Sequence, residues 1–388
     1  MPVPFGSIAR QQIQQSSYES SVLIIDANRV AMIRALVPSG MINSLRNWQC
    51  QQASTLTFIG LRMQTHSESN SARCPVCNGQ SRYDFSGRDL MFDHYERHDY
   101  FCCSDCGSIF THPMPTPDQI AAFYPSNYDI YEEDDRPDSN PNWKKKFILR
   151  TQYGYRHLKI GFFGSVFAGI AKLAGKANVP MYVQDGKLLD VGCGNGRFLR
   201  TMKSLGWKVF GVEFSVVGVS ACRKSDLEVH QGDLHSAHFP DSFFDVITAR
   251  HVVEHIPEPN NFFAEIARIL KPGGQFILET PNSGSLGRRW LGTNWFANEV
   301  PRHLILYNRH NLLLLAQNNC LRCEYIHLDT SPKILLNSID YVIKNRGKPS
   351  KKMRCRRFFA RLYVWLANSR DEGDVIHAQF RKSTSPCQ

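Results

Sequence analysis

Three groups of residues in this 388-residue chain have the types and spacings that chemistry requires. The first is a glycine loop. The apolar run Leu188-Leu189-Asp190-Val191 enters Gly192-Cys193-Gly194-Asn195-Gly196, and a helical pattern resumes at Arg197. Glycines at such a place let the backbone turn tightly and approach a ligand at the N-terminus of a helix. The spacing is G-x-G-x-G, not the G-x-G-x-x-G of dinucleotide binders. Two acids stand in register with it. Glu213 ends the next apolar run, where a carboxylate can accept both hydroxyls of a ribose; Asp233 follows Gly232 after the third run, where it can meet an adenine edge. Either acid alone is explained as the cap of a following helix. Both together, in register with the loop, point to a nucleoside-bearing ligand.

The second group is a cysteine cluster. Cys74-Pro-Val-Cys77 and Cys103-Ser-Asp-Cys106 are two C-x2-C knuckles, each followed closely by a glycine that permits the tight turn. Four thiolates around a tetrahedral Zn²⁺ form a closed structural site with no open position for catalysis. Cys102 leaves the register ambiguous by one residue, with the spacing favouring Cys103, and His94 or His98 can replace a thiol. A third pair, Cys320 and Cys323, is solitary and reads as packing at a helix-to-strand junction.

The third group is a set of histidines, whose near-neutral pKa suits removal of a hydroxyl proton. His251 and Glu254-His255 follow the fourth apolar run, and Arg302-His303 lies after the fifth. Each is equally explained by loop hydrogen bonding or packing. His303, then His255, are the expected bases, because acceptor-facing residues tend to lie in the segment inserted after the fifth strand.

The elements that must hold these groups are legible as an α/β rhythm. LLDVG, WKVFGVE, LEVHQGD, FFDVITA and GQFILET alternate with helical segments between Lys187 and Asn282, the pattern of a parallel sheet covered on both faces. Asp371–Lys382 reads as a final antiparallel strand. Residues 1–70 are rich in Gln, Ser and Asn and read as a poorly ordered extension, with Met63 a plausible alternative start. Residues 71–112 form the cysteine module, 113–150 a linker with a short helix, and 151–388 the main domain. Within that domain a lid is expected over about 283–310 and a basic helix over about 351–368.

This combination resembles the class I S-adenosylmethionine-dependent methyltransferases, in their ubiquinone-methylase-like branch. LLDVGCGNG is similar to that family's first motif, Glu213 to its ribose acid and Gly232-Asp233 to its adenine-side motif. Phe239–Pro259 (FPDSFFDVITARHVVEHIPEP) resembles its fourth-strand region and Arg268–Asn282 (RILKPGGQFILETPN) its KPGG turn and fifth strand. Gly292–Asn308 is similar to bacterial members found with glycan or cell-envelope biosynthesis, some of which carry a small zinc ribbon. The resemblance implies a Rossmann-like seven-stranded sheet with an N-terminal zinc ribbon. It assigns S-adenosylmethionine to Asp190, Gly192, Gly194, Gly196, Glu213 and Asp233, and structural Zn²⁺ to Cys74, Cys77, Cys103 and Cys106.

Composition narrows the remaining choices. Hydrophobic residues at 42% and charged residues at 21% exclude collagen, coiled-coil and wholly disordered classes. No apolar run approaches the roughly 20 residues of a membrane span, the nearest being Phe162–Gly175. The N-terminus has no basic region followed by an apolar stretch, which predicts a cytoplasmic protein. Of the net charge of +11, residues 332–388 supply +9, from 13 basic and 4 acidic side chains. That charge is local, on a segment opening with Lys351, Lys352, Arg354, Arg356 and Arg357 and continuing into an apolar face. The face is expected to pack on the sheet, with contact to the inner face of a membrane as the second reading. The expected activity is O- or C-methylation of a small molecule or glycan precursor. An RNA methyltransferase is the rival enzyme, disfavoured because Ala249-Arg250-His251-Val252 stands where amine methylases carry Asn-Pro-Pro-Tyr; nucleic acid is accordingly not expected as a partner. A non-catalytic S-adenosylmethionine-binding protein is the rival of another class, and the intact loop and acids oppose it.

Overall fold

The computed structural model describes residues 72–124, 143–159, 179–345 and 356–384. These belong to one unit, Glu68–Gln388. The N-terminal extension, the apolar run Phe162–Gly175 and the basic start Lys351–Cys355 lie outside the described residues.

Five short apolar segments build the centre of the main sheet: β5 (Lys187–Val191), β6 (Lys208–Glu213), β7 (Glu228–Gln231), β8 (Phe244–Arg250) and β9 (Leu270–Pro281). All five are parallel, in the spatial order β7-β6-β5-β8-β9. Central strands are apolar on both faces because helices cover both sides, and Leu188, Leu189, Val246 and Ile247 are fully buried. β12 (Val375–Lys382) adds antiparallel to β9, and β11 (Leu321–Asp329) adds antiparallel to β12. The result is a seven-stranded sheet. The KPGG turn is a bulge within β9: Phe244 pairs with Leu270, but Val246 next pairs with Gln275.

Helices α3 (Arg197–Ser204) and α4 (Val216–Lys224) follow the first two strands, and α5 (Pro259–Ile269) precedes β9. α5 has proline in its first turn, where a missing N–H costs nothing, and buries Phe262, Phe263, Ile266 and Ile269. α6 (Leu286–Leu291) opens the segment after β9, and α7 (Arg309–Asn318), closed by an Asn308–Asn311 capping box, ends it. α8 (Pro332–Asn345) had no counterpart in the sequence reading. It packs on α9 (Arg356–Ser369).

The basic helix packs on the fold through part of its apolar face, with two alanines at the centre of the contact. Ala360, Tyr363 and Ala367 are buried, whereas Phe358 and Trp365 are 67% and 65% exposed. Two alanines let the helix approach closely, and Tyr363 reaches the buried carboxylate of Asp374 at 2.5 Å. Phe358 and Trp365 are left facing outward, while Phe359, Leu362 and Leu366 are half-buried.

The cysteine module is a second sheet. β1 (Ala72–Arg73), β2 (Gln80–Arg88), β3 (Arg97–Cys103) and β4 (Ile109–Thr111) form an antiparallel meander. Its fifth strand is β10 (Ile305–Leu306), supplied by the segment after β9: Ile305 pairs with Phe110 and Leu306 with Ile109. Two short helices, α1 (Pro117–Ala122) and α2 (Trp143–Gln152), lie between the two sheets in sequence. The expected lid is thus woven into the module. Trp295, Arg302 and Tyr307 within it are among the largest fully buried side chains.

Candidate functional site

The glycine loop lies at the carboxyl end of β5, where open α/β sheets place their ligands. Gly192 N donates to Val212 O, tying the loop to β6. Glu213, at the end of β6, is 5% exposed. Its carboxylate accepts from Gly194 N at 2.7 Å and from Ser215 N at 2.8 Å. Burial pushes Glu213 above the ordinary carboxylate range, against the lowering effect of these N–H bonds. The three glycines serve different ends. A Cβ at Gly196 would sit 2.5 Å from Leu227 Cδ1 and 2.7 Å from Cys222 Sγ, so packing demands glycine there. Gly194, at φ 55°, has open space on that side. It is the position left clear for a ligand.

Asp190 is 4% exposed and accepts from Thr248 Oγ1 at 2.5 Å, with Arg250 at 3.5 Å. Burial pushes its carboxyl up to about 6, and Arg250 works against this. The Arg250 guanidinium also stacks 3.5 Å from the Phe198 ring centroid. Asp233 is exposed and accepts from Ser236 N at 2.7 Å, which holds it below the ordinary carboxylate range. It closes a turn whose next residue, Leu234, is buried.

The structure brings the three histidines of the third group together with two acids. His255 Nδ1 lies 2.9 Å from Arg302 O and 2.9 Å from Tyr124 Oη. Burial and the neighbouring His303 hold it below the ordinary imidazole range. The His255 and His303 rings meet edge to face at 4.9 Å. His303 is 5% exposed, with Nδ1 2.9 Å from Ala297 O and Nε2 3.5 Å from Glu299. Glu254 is fully buried, 3.3 Å from His251 Nδ1 through one oxygen and accepting from Thr280 Oγ1 at 2.8 Å through the other. Burial raises its pKa, but the bond and charge of His251 prevail and hold it at about 2.

Sequence reading missed Asp89, Tyr124 and Glu299 as parts of this region, and named Arg302 only as the neighbour of His303. Arg302 is fully buried and donates to both Asp89 oxygens, at 2.7 and 3.2 Å, and to Glu299 at 3.1 Å. Asp89 comes from the turn after β2, and Tyr100 of β3 donates through its hydroxyl to His303 O at 2.9 Å. The cysteine module therefore holds the Arg302 side chain and the backbone carbonyls of His303 and Leu304, the latter through Thr111 N.

In the module itself, the sulfurs of Cys74, Cys77, Cys103 and Cys106 all lie within 4.8 Å of one another. Val76 N and Cys106 N point at the sulfurs of Cys74 and Cys103 at 3.4 and 3.5 Å. Cys102 stands outside the group, its thiol directed at Cys103 O. Four converging thiols with supporting N–H groups fit a tetrahedral thiophilic ion.

The methyltransferase-domain family matches residues 161–324. The ubiquinone biosynthesis O-methyltransferase of Proteus mirabilis (strain HI4320) is 29% identical over 128 residues, 30% of this chain and 51% of that protein. The enzyme of the same name from Thiobacillus denitrificans (strain ATCC 25259 / T1) is 36% identical over 104 residues, 25% of this chain and 44% of that protein. This chain thus spans about half the length of the curated relatives it matches. An S-adenosylmethionine-dependent methyltransferase structure from Mesorhizobium loti aligns with 57% of this chain and 100% of its own, at 18% identity and a TM-score of 0.37. The glycine loop, the buried acid at the end of β6 and all five parallel strands fall within residues 161–324, the stretch that matches the methyltransferase-domain family.

Proposed function

We propose that the protein transfers a methyl group from S-adenosylmethionine to a hydroxyl of a small molecule. The observation that carries this reading is the juxtaposition of two features. Open space over Gly194 beside the buried Glu213 provides a donor cradle, and the polar cluster of His251, Glu254, His255 and His303 lies at the end of the neighbouring strand. Asp190, Gly192, Gly194, Gly196, Glu213 and Asp233 bind the donor on this reading. Glu213 meets the ribose, and Arg250 and Thr248 keep Asp190 under the loop. When bound, S-adenosylmethionine supplies an electrophilic methyl group. The chain's own task is to align the acceptor, exclude water and accept one proton. The sequence leads us to expect the proton acceptor at His303 or His255, and both stand in this cluster beside His251.

The relatives' role in ubiquinone biosynthesis favours a phenolic acceptor, for which 3,4-dihydroxybenzoate is a suitable probe. A glycan precursor is the second reading, supported by the sequence likeness of Gly292–Asn308. The module over 71–112 is proposed to hold one structural Zn²⁺ on Cys74, Cys77, Cys103 and Cys106. No helix among the described residues is long and apolar enough to cross a membrane. The outward Phe358 and Trp365, beside Arg357 and Arg361, suit peripheral contact with an anionic bilayer. Salt-sensitive co-sedimentation with phosphatidylglycerol vesicles, lost in Phe358→Ser/Trp365→Ser, tests that contact.

Calorimetry with S-adenosylmethionine and with NAD, followed by transfer of labelled methyl to the probe, tests the central reading. Binding of NAD with no binding of S-adenosylmethionine would overturn it.

A further inference from the structure

The three histidines of the cluster are not equivalent. The His303 ring is buried, with Nδ1 against Ala297 O and its backbone carbonyl held by Tyr100. The His255 ring is pinned between Arg302 O, Tyr124 and His303. The His251 side chain is 54% exposed, and its Nδ1 lies 3.3 Å from the fully buried Glu254 carboxylate. With Nδ1–H directed at that carboxylate, the neutral ring keeps its lone pair on Nε2, on a side chain that is more than half exposed. Glu254 is itself fixed by Thr280 Oγ1. A hydroxyl, a buried carboxylate and an accessible imidazole in line is the arrangement that sets a histidine's tautomer for proton removal.

Its position agrees. His251 follows the last residue of β8, and its neighbours on both sides touch the donor loop. Arg250 lies 3.5 Å from Asp190, and Val252 packs where a Gly192 Cβ would intrude, 2.6 Å from Val252 Cγ2. The His251 backbone is held at φ 54°, a left-handed conformation that non-glycine residues rarely adopt. Such strain persists only where surrounding contacts over-determine it, and it concentrates at functional sites.

We propose that His251 is the catalytic base and Glu254 its positioning residue. The inference rests on the methyl-transfer reading above. His251 Nε2 takes the acceptor's hydroxyl proton as the oxygen bonds to the methyl carbon. The carbon–sulfur electron pair stays on sulfur as the donor leaves as a thioether, and the imidazolium returns its proton to solvent. The charged groups acting on His251 are Glu254, Glu279 and Glu299. Burial lowers its pKa, but Glu254 foremost outweighs this and holds it above the ordinary imidazole range.

The test uses the full chain, labelled S-adenosylmethionine and 3,4-dihydroxybenzoate. His251→Gly suits the left-handed backbone, so the fold and donor binding should persist while transfer falls by about 10²–10⁴-fold. Added imidazole should restore part of it. Glu254→Gln should move the acid limb of the kcat/KM profile to lower pH, which a purely structural loss would not do. The assignment is overturned if His251→Gly keeps more than a third of wild-type transfer, or if imidazole rescues His303→Gly and not His251→Gly. If the wild type binds donor but leaves the probe unmethylated, the acceptor proposal fails, and ring NMR with S-adenosylhomocysteine bound decides the base. A His251 pKa above the ordinary value that drops in Glu254→Gln supports it; one that does not move refutes it.

Discussion

Replacing Asp89 with asparagine removes the charge that faces a guanidinium with no access to water. Arg302 is fully buried and Asp89 is 3% exposed, and they meet through two bonds of 2.7 and 3.2 Å. At this separation the attraction is about 4 kcal/mol for an effective dielectric constant near 20. Breaking such a buried pair from one side costs about 3–5 kcal/mol, because the remaining charge is left uncompensated. Glu299 still accepts from Arg302 at 3.1 Å and Phe123 O at 3.3 Å. We therefore expect a loss of about 3 kcal/mol, at the lower end of that range. Asparagine can keep the bonds from Met91 N and Phe92 N, so the loss reports charge rather than loop geometry. Urea denaturation of Asp89→Asn, Arg302→Met and the double variant reads it. Each single change should be costly and the double should cost less than their sum, by at least about 1 kcal/mol. The pH dependence has a definite sign. Burial raises the pKa of Asp89, but the Arg302 bond and charge and the two N–H groups prevail and hold it below the ordinary carboxylate range. Its contribution is therefore complete above the unfolded carboxylate pKa of about 3.9 and is lost as pH falls through the folded value. The gap between wild type and Asp89→Asn should narrow in acid. A single-variant loss under about 1 kcal/mol at neutral pH, with no coupling in the cycle, would refute the argument.

Glu213→Ala should weaken S-adenosylmethionine binding by about 1–3 kcal/mol in calorimetry, since the ribose hydroxyls and Gly194 N both lose a charged acceptor. Cys103→Ser should strip zinc from the purified protein by elemental analysis, whereas Cys102→Ser should retain one ion per chain. His377 sits between Asp329 at 3.0 Å and Glu279 at 3.4 Å. Burial lowers its pKa, but these acids prevail and raise it to about 9. Its stabilising effect is therefore full below about pH 6.5 and fades as pH rises towards 9; His377→Gln should cost about 1–2 kcal/mol at pH 6 and almost nothing at pH 10, measured by denaturation midpoints.

The central sheet was legible because parallel strands buried on both faces must be apolar runs, and a glycine loop punctuates the first of them. All five runs became β5 to β9, and Asp371–Lys382 became the strand β12, beginning at Val375. Knuckle spacing favoured Cys103 over Cys102 without deciding between them, and it is the Cys103 sulfur that converges with those of Cys74, Cys77 and Cys106. What sequence could not carry was pairing between distant segments. Asp89 and Arg302 are polar residues with no local periodicity, and nothing near either announces the other. β10 is two residues long and has no strand signature of its own; its pairing with β4 is decided by tertiary packing. The basic helix shows the limit of counting apolar residues. Phe358 and Trp365 favour burial by type, but Ala360 and Ala367 decide which face approaches the fold. The histidines were found as a group; the exposure that sets His251 apart from His255 and His303 is decided by packing, which spacing does not show.

The pairing of β4 with β10 also sets an order of events when the chain is made. The cysteine meander leaves the ribosome with the edge of β4 unpaired, and its partner is encoded roughly two hundred residues later, a delay of about 10–40 s at ordinary synthesis rates. Through that interval the exposed edge is a template for other chains. A metal ion closing the four-thiol knuckles early would hold the meander in shape while it waits. The same dependence means that a shortened chain starting after Thr111 would release β10 and leave Arg302 facing no aspartate. The sheet that carries the glycine loop and the cysteine module are therefore joined by a shared strand as well as by the chain.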